Sequence, residues 1–438
     1  MPHNFEAAEI LTTGWCPLNC KYCYIPKTDK MKDLHVSIIE SITADDLVDR
    51  IRSIPGPKTV IGLWGTEPIL TMLMIAKHLP RLKKEFPELK TIAFSTSLVL
   101  DPKVIADFAR EADKYGVGLQ IQISLDGPAF ITDENRAPGV TEKVVNNAKR
   151  LVDLLNEHGV KSDTQVRWKA TLTIENIRMM NENPERIHEY FHFFEELTNE
   201  LRERNKLPNI RIENSSAPTL TVPGKYTSED GKELAKFFEF LAEHNYPNTY
   251  VFRFLRLMNF YKELYKTRMF TCSGGDSNIG FDGRYMHICH RTFYLNRPEY
   301  VESIMGMPKY QNWDVSHLDR GNLKEIEQYY IVDPSDEFNL TRFQYVLRGY
   351  HDFIRMKLAT TYVLVKELAL AGQASEVYLY DDAMAELLSL FVNTALSCPM
   401  ENLLNTGSLH IPPVSMVRIF ANGAFEVVLR EAVKYARV

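Results

Sequence analysis

Three cysteines fall in one short run near the start of the chain, Cys16-Pro17-Leu18-Asn19-Cys20-Lys21-Tyr22-Cys23. The spacing is C-x3-C-x2-C. Three thiolates on one loop can hold three corners of a cubane iron–sulfur cluster. A [4Fe–4S] cluster ordinarily takes four cysteines, so three leave one iron open to a substrate or cofactor. Other uses of cysteine fit less well. A zinc site wants a fourth Cys or His nearby, commonly as a second paired knuckle. No His or Cys follows Cys23 until His35, and no second CxxC occurs. His188 and His192 form an HxxxH pair, but it lies far down the chain from the cysteine loop, in an expected helix. A disulfide framework wants a secreted chain with denser cysteine. Buried structural cysteines are common singly, not three together in a polar, proline-containing loop.

The elements that must position this loop can be read from the same sequence. At 438 residues, with 45% hydrophobic and 25% charged residues, the chain is an ordinary globular protein of two or three domains. A net charge of −6 gives no electrostatic case for nucleic-acid binding. No apolar run approaches the roughly 18 residues of a membrane span, and the N-terminus lacks a signal-peptide pattern. A cytoplasmic protein without nucleic-acid or membrane partners is expected. Six cysteines in such a chain point to metal or catalysis.

Over about the first 215 residues, short β-branched runs alternate with longer amphipathic ones. Strands are expected at Ala8–Thr13, Thr59–Trp64, Thr91–Thr96, Leu119–Leu125, Gln165–Thr173 and Ile210–Glu213. Helices are expected at Ala44–Ile54 with Thr43 as N-cap, Ile69–Glu85, Pro102–Tyr115, Val140–His158 and Pro184–Arg204. Such alternation makes a parallel, right-handedly wound sheet. Six units make a partial (β/α)6 TIM-like barrel, whose chemistry gathers at the C-terminal strand ends. The cysteine loop follows strand one at that end. Polar residues follow the others: Gly65-Thr66-Glu67-Pro68, Ser95-Thr96-Ser97 and Ser124-Leu125-Asp126-Gly127. Lys169, Arg167 and Glu213 join that face if the strand registers hold.

On these residues the chain resembles the radical S-adenosylmethionine (SAM) enzymes. The match rests on Cys16, Cys20 and Cys23 with Tyr22 before the last, on Gly65-Thr66-Glu67-Pro68, where Thr66 replaces the usual glycine, and on Ser124-Leu125-Asp126-Gly127. The resemblance implies a [4Fe–4S] cluster on the three cysteines, with SAM chelating the open iron through its amino and carboxyl groups. Reductive cleavage of SAM then gives a 5′-deoxyadenosyl radical that abstracts a substrate hydrogen atom. It further implies SAM contacts from Tyr22, Gly65, Thr66, Glu67, Ser95, Ser124 and Asp126, with Arg136 as the cation for the SAM carboxylate. A surface arginine paired with Asp133 or Glu134 is the plain alternative for Arg136. A low-potential flavodoxin or ferredoxin donor is implied, because iron–sulfur potentials reach about −700 mV. No acid or base is recognisable.

Cys272, Cys289 and Cys398 lie beyond the barrel. Cys272 leads into a hairpin turned at Asp282-Gly283, and Cys289 ends it, beside His290. The pattern resembles the start of the SPASM and twitch auxiliary-cluster extensions, although five residues separate Gly283 from Cys289 and the later cysteine string is absent. It implies at most one auxiliary iron–sulfur cluster, held by Cys272, Cys289 and Cys398, within a C-terminal SPASM/twitch-like α+β extension. The alternative is a degenerate hairpin and a core cysteine. His290 reads as a bystander more readily than as a ligand. The segment Arg253–Arg268 reads as a basic, aromatic helix, Arg342–Ala369 and Ser375–Ser397 as helices, and Val414–Val428 as strand-like. The expected organisation is therefore a barrel at 1–225, a bridge and hairpin at 226–340, and a mostly helical region at 341–438. With strand one expected so near the start of the sequence, no separate leader-recognition domain is expected before it.

The resemblance implies an oxidoreductase acting on a peptide or protein by crosslinking, epimerisation or side-chain oxidation. A small-molecule precursor is the alternative substrate. A non-catalytic metal-binding protein is a third reading, which the intact cysteine triad opposes.

Overall fold

A computed structural model describes residues 5–23, 25, 27–220, 226–252, 255, 277–293, 331–345, 419–420 and 423–436. Six parallel strands carry the barrel: β1 (Ala7–Thr13), β2 (Val60–Gly65), β3 (Thr91–Thr96), β4 (Gly118–Ser124), β5 (Thr164–Lys169) and, after the short β6 (Thr171–Leu172), β7 (Ile210–Glu213). The short β8 (Thr219–Leu220) pairs with β6. The partial (β/α)6 barrel expected from the alternation is the fold observed.

The hairpin is the unexpected part of the sheet. β9 (Asn278–Phe281) runs parallel to β1, β10 (Met286–His287) pairs antiparallel with β9, and β11 (Ile331–Val332) pairs antiparallel with β10. Among the described residues the sheet has nine strands, ordered β11-β10-β9-β1-β2-β3-β4-β5-β7. It therefore continues across position 225. Gly283 holds φ +98 in the turn, and a Cβ there would lie 2.0 Å from Ser41 Oγ. Arg50 donates to the Gly283 carbonyl and to Ser41. The DG turn is thus docked on the barrel's outer helices.

The helical layer is α1 (Asp29–Thr43), α2 (Leu47–Arg52), α3 (Met72–Ala76), α4 (Leu79–Glu85), α5 (Lys103–Asp113), α6 (Ala129–Asn135), α7 (Val140–His158), α8 (Ile174–Glu182), α9 (Glu185–Arg204), α10 (Ser228–Glu243) and α11 (Ala424–Ala436). α7 shows why such runs form helices. Val140, Val144, Ala148, Leu151, Val152 and Leu155 recur at helical spacing and are buried, and Gly159 closes the helix at φ +60.

Several expected boundaries move. α1 was not anticipated. Thr43 is its last residue, where its hydroxyl donates to Ile39 O at 2.8 Å, so it caps nothing downstream. The run expected as one helix from Ile69 breaks into a short 3₁₀ turn, α3 and α4. The strand expected to reach Thr173 stops at Lys169, because Thr173 begins α8 with a capping box against Asn176. The end of the strand-like stretch, from Ala424, is helical: α11 lays buried Val427, Val428 and Ala432 into the core, and tertiary packing outweighs the strand preference of β-branched residues. Cys272, Cys398, the helical readings at 342–369 (from residue 346 on) and 375–397, and most of 253–268 lie outside the described residues.

At the base of the barrel Lys58 is fully buried at φ +52. Its Nζ donates to the carbonyls of Ile54 (2.9 Å), Gly56 (2.9 Å), Pro55 (3.0 Å) and Phe5 (3.3 Å), tying the turn before β2 to the approach of β1. Lys58→Met keeps the apolar stem and removes every donor. It is expected to cost about 2–4 kcal/mol, the penalty for buried carbonyls left without partners, read as a lower urea midpoint.

Candidate active site

The cysteine loop leaves β1 at the C-terminal face of the sheet and is fastened to two other strand ends. The first fastening is to β2. Thr66 N donates to Thr13 O at 3.2 Å, and the Thr66 hydroxyl donates to the Trp15 carbonyl. The threonine that replaces glycine in the motif thereby ties that turn to the loop. Gly65 holds φ +133, and a Cβ on it would stand 2.1 Å from Thr13 O. Gly65→Ala must therefore shift one strand end or the other. An expected loss of about 2–4 kcal/mol would appear as a lower thermal midpoint with weaker SAM binding.

Glu67 is fully buried. Its carboxylate accepts from Thr96 Oγ1 at 2.7 Å, from Ser97 N at 2.8 Å and from the Ser97 hydroxyl. Burial pushes its carboxyl up, opposed by those bonds. The side chain thus locks the end of β2 to that of β3. The Glu67 carboxylate, expected as a SAM contact, is therefore already held by Thr96 and Ser97.

The second fastening is to β4. The Tyr22 hydroxyl donates to both Asp126 carboxylate oxygens, at 2.7 and 2.9 Å. Arg136 Nε and Nη2 grip the same carboxylate at 2.9 and 2.8 Å. Thr171 N adds a bond at 3.2 Å and Asn135 Nδ2 one at 3.4 Å. The ion pair is almost completely buried. Burial works against the Arg136 charge, yet Asp126 keeps the guanidinium protonated well beyond its ordinary range. Burial also pushes the Tyr22 hydroxyl well up. Two expectations change. Arg136 is not a surface residue paired with Asp133 or Glu134. Asp126 is surrounded by donors and is the counter-ion of Arg136 rather than an open acceptor for ribose hydroxyls. Arg136 nevertheless keeps Nη1 for a further acceptor.

Cys16, Cys20 and Cys23 are thiols rather than disulfides. Cys20 is buried. Burial pushes the Cys16 thiol up to about 12, with Lys27 opposing and Glu67 and Cys20 adding to the rise. The loop backbone is fixed by Lys21 N to Asn135 O at 2.8 Å and Cys23 N to Cys20 O at 3.0 Å. Among the described residues no group of three or more Cys, His, Asp or Glu converges as the ligands of one metal ion do. Cubane ligands each bind a separate iron, so they need no common centre. Three thiols on one pinned loop are a fitting donor set for such a cluster.

Below the loop, the lumen face of the sheet carries further expected residues. Ser95 donates to Gln122 Oε1 at 2.8 Å. Half-buried Ser124 ends β4, opposite Lys169. Arg167 lies between Gln122 and Glu213 in the registers of β4 and β7. Sequence reasoning missed the residues that close the lumen at β1. His290, just after Cys289, pairs through Nδ1 with Glu9 and stacks on Trp64 with ring centroids 3.9 Å apart. Burial raises the Glu9 carboxyl, but His290 and Asn278 outweigh it and hold it below its ordinary value. A charged residue inside the apolar run Ala7–Thr13 was the available signal for Glu9. Buried Cys289 begins the short helical turn holding His290. Beside it in the hairpin, Asp282 is drawn down to about 2: burial raises it, and buried His287 and two amides outweigh that.

Residues 10–194 match the family model of the Radical SAM superfamily. The barrel is a radical SAM domain, and the chain is a radical SAM enzyme. The family implies a [4Fe–4S] cluster and SAM. No curated protein matches the chain in sequence. Among solved structures, native anSMEcpe with bound AdoMet and Cp18Cys peptide is similar at 14% identity and a TM-score of 0.50, covering 98% of this chain and 99% of that one. Native anSMEcpe with bound AdoMet alone is similar at 13% identity and 0.49, covering 98% and 100%. Streptococcus suis SuiB bound to S-adenosylmethionine gives 13% and 0.38, covering 67% and 60%. The likeness to peptide-bound anSMEcpe is one of fold. No helix among the described residues is long and apolar enough to cross a membrane.

Proposed function

We propose that this radical SAM enzyme modifies a peptide or protein. The observation that carries the reading is the buried Tyr22–Asp126–Arg136 linkage, which fixes a three-cysteine loop over the mouth of a polar-lined barrel. The peptide part is supported by the fold shared with anSMEcpe, solved with a bound peptide. Cys16, Cys20 and Cys23 would hold the [4Fe–4S] cluster. When bound, cluster and SAM supply one-electron cleavage of SAM to a 5′-deoxyadenosyl radical and hydrogen-atom abstraction from the substrate. The chain's own residues orient and enclose. The Gly65–Glu67 turn presents backbone to the SAM amine, Ser95 and Ser124 offer hydroxyls along SAM, and Arg136 offers Nη1 to its carboxylate. The wall made by Trp64 and His290 keeps water from the β1 side of the lumen.

Cys272, Cys289 and Cys398 would hold one auxiliary cluster in the segment after the barrel, and a flavodoxin or ferredoxin would deliver the electron. The test is anaerobic loading with iron and sulfide, followed by dithionite and SAM. Release of 5′-deoxyadenosine is expected, and its absence overturns the reading. Mass spectrometry of a co-expressed peptide from a neighbouring gene then reads the modification. Turnover on small molecules alone would move the substrate to that class.

A further inference from the structure

One layer of the lumen face is fixed by register just below the strand ends. Leu11 lies opposite Trp64, Ser95 opposite Gln122, Gln122 opposite Arg167 and Arg167 opposite Glu213. On β5 the neighbours Val166 and Trp168 are buried, and Trp168 Nε1 donates to Thr198 of α9. Trp168 therefore faces the helices, and Arg167 faces the lumen. Its Nε is buried without a hydrogen-bond partner. Among the described residues the guanidinium enters no ion pair, even with Glu213 beside it. A buried donor left unmatched lowers stability, and five fixed donors around one charge suit a planar anion. Gln122 adds to this. Its carbonyl accepts from Ser95, and its amide N–H groups are left for another acceptor at the same level.

The two guanidiniums of the site differ in their commitments. Arg136 is oriented by Asp126 at the strand end, beside the cysteine loop, where the carboxylate of SAM is to be met. Arg167 lies one layer deeper, level with Trp64 and Gln122. We propose that Arg167, with Gln122 beside it, binds a carboxylate of the substrate: an acidic side chain or the C-terminus of a peptide. The assignment rests on the peptide-modifying reading above and specifies which substrates the lumen selects.

The test uses the cluster-loaded, SAM-bound enzyme and three small probes. N-acetylglutamic acid α-amide carries a side-chain carboxylate, N-acetylglutamine a terminal one, and N-acetylglutamine amide neither. Phenylglyoxal modification of Arg167 is followed by peptide mass spectrometry. At least one acidic probe is expected to slow it threefold or more (~3-fold as the threshold) relative to the neutral probe, and which one does so tells side chain from terminus. Equal protection by all three probes, or by none, overturns the proposal. So does complete shielding by SAM before any probe is added, which would give Arg167 to the cofactor. This measurement needs no variant, so a misfolded substitution cannot leave the matter open. In parallel, the preference for the acidic over the neutral probe, about fivefold or more in the wild type, should fall below about twofold in Arg167→Gln and persist in part in Arg167→Lys. An unchanged preference in Arg167→Gln overturns the proposal as well. Release of 5′-deoxyadenosine by the wild-type enzyme reports the underlying reading separately.

Discussion

Cys20→Ala is expected to abolish SAM cleavage while leaving the barrel folded. The two effects separate because the loop does not depend on its sulfur for shape. Lys21 N and Cys23 N are hydrogen-bonded to Asn135 O and Cys20 O, groups that alanine retains. Tyr22 keeps its grip on Asp126, and Thr66 still holds the Trp15 carbonyl. Removing one thiol from a buried position costs about 1 kcal/mol or little more, so the urea midpoint of the metal-free protein should hardly move. The iron content should fall by about four per chain, one cubane, and 5′-deoxyadenosine release by more than about 10³-fold. Iron analysis and chromatography of the anaerobic reaction read both. Undiminished iron, or deoxyadenosine at the wild-type rate, would remove Cys20 from the ligand set.

The parts of the site that sequence made legible are those whose chemistry is local. The cysteine spacing, the Gly65–Pro68 turn and the DG hairpin lie within a few residues of chain, and each appears where expected. Strand alternation works for the same reason: Arg167 sits between buried Val166 and Trp168, and the register then places it on the face of Gln122 and Glu213. What could not be read is pairing across distance. On the family resemblance Asp126 and Arg136 look like separate ligands of SAM. Their commitment to each other follows from α6, which turns Arg136 back onto the end of β4. Glu9 and His290 meet only because β9 joins β1 in parallel. α1 was missed for a different reason: among the described residues its buried stripe is Leu34, Ile38 and Ile42, too narrow to stand out in a polar run.

Asp126→Asn, by contrast with Cys20→Ala, is expected to damage fold and chemistry together. The carboxylate meets two N–H groups of Arg136, the Tyr22 hydroxyl, the Thr171 amide and Asn135. Asparagine keeps the shape but not the charge, and its NH₂ must confront at least one of those donors. Arg136, whose side chain is only 6% exposed, is left as an uncompensated cation. Breaking one side of a buried pair costs about 3–5 kcal/mol, several times the effect of a surface substitution. The urea midpoint of the metal-free protein should fall accordingly. Since Tyr22 lies between Cys20 and Cys23, loosening its anchor should also reduce iron retained on gel filtration. Arg136→Gln alone should lose SAM affinity with a smaller loss of stability, because the charge that remains, Asp126, keeps Tyr22, Thr171 and Asn135 as donors. The double variant Asp126→Asn/Arg136→Gln should then be more stable than the sum of the single losses implies, by about 1–3 kcal/mol. Strict additivity would mean that the two side chains do not act as a pair, and the anchoring of the cysteine loop through Asp126 would have to be abandoned.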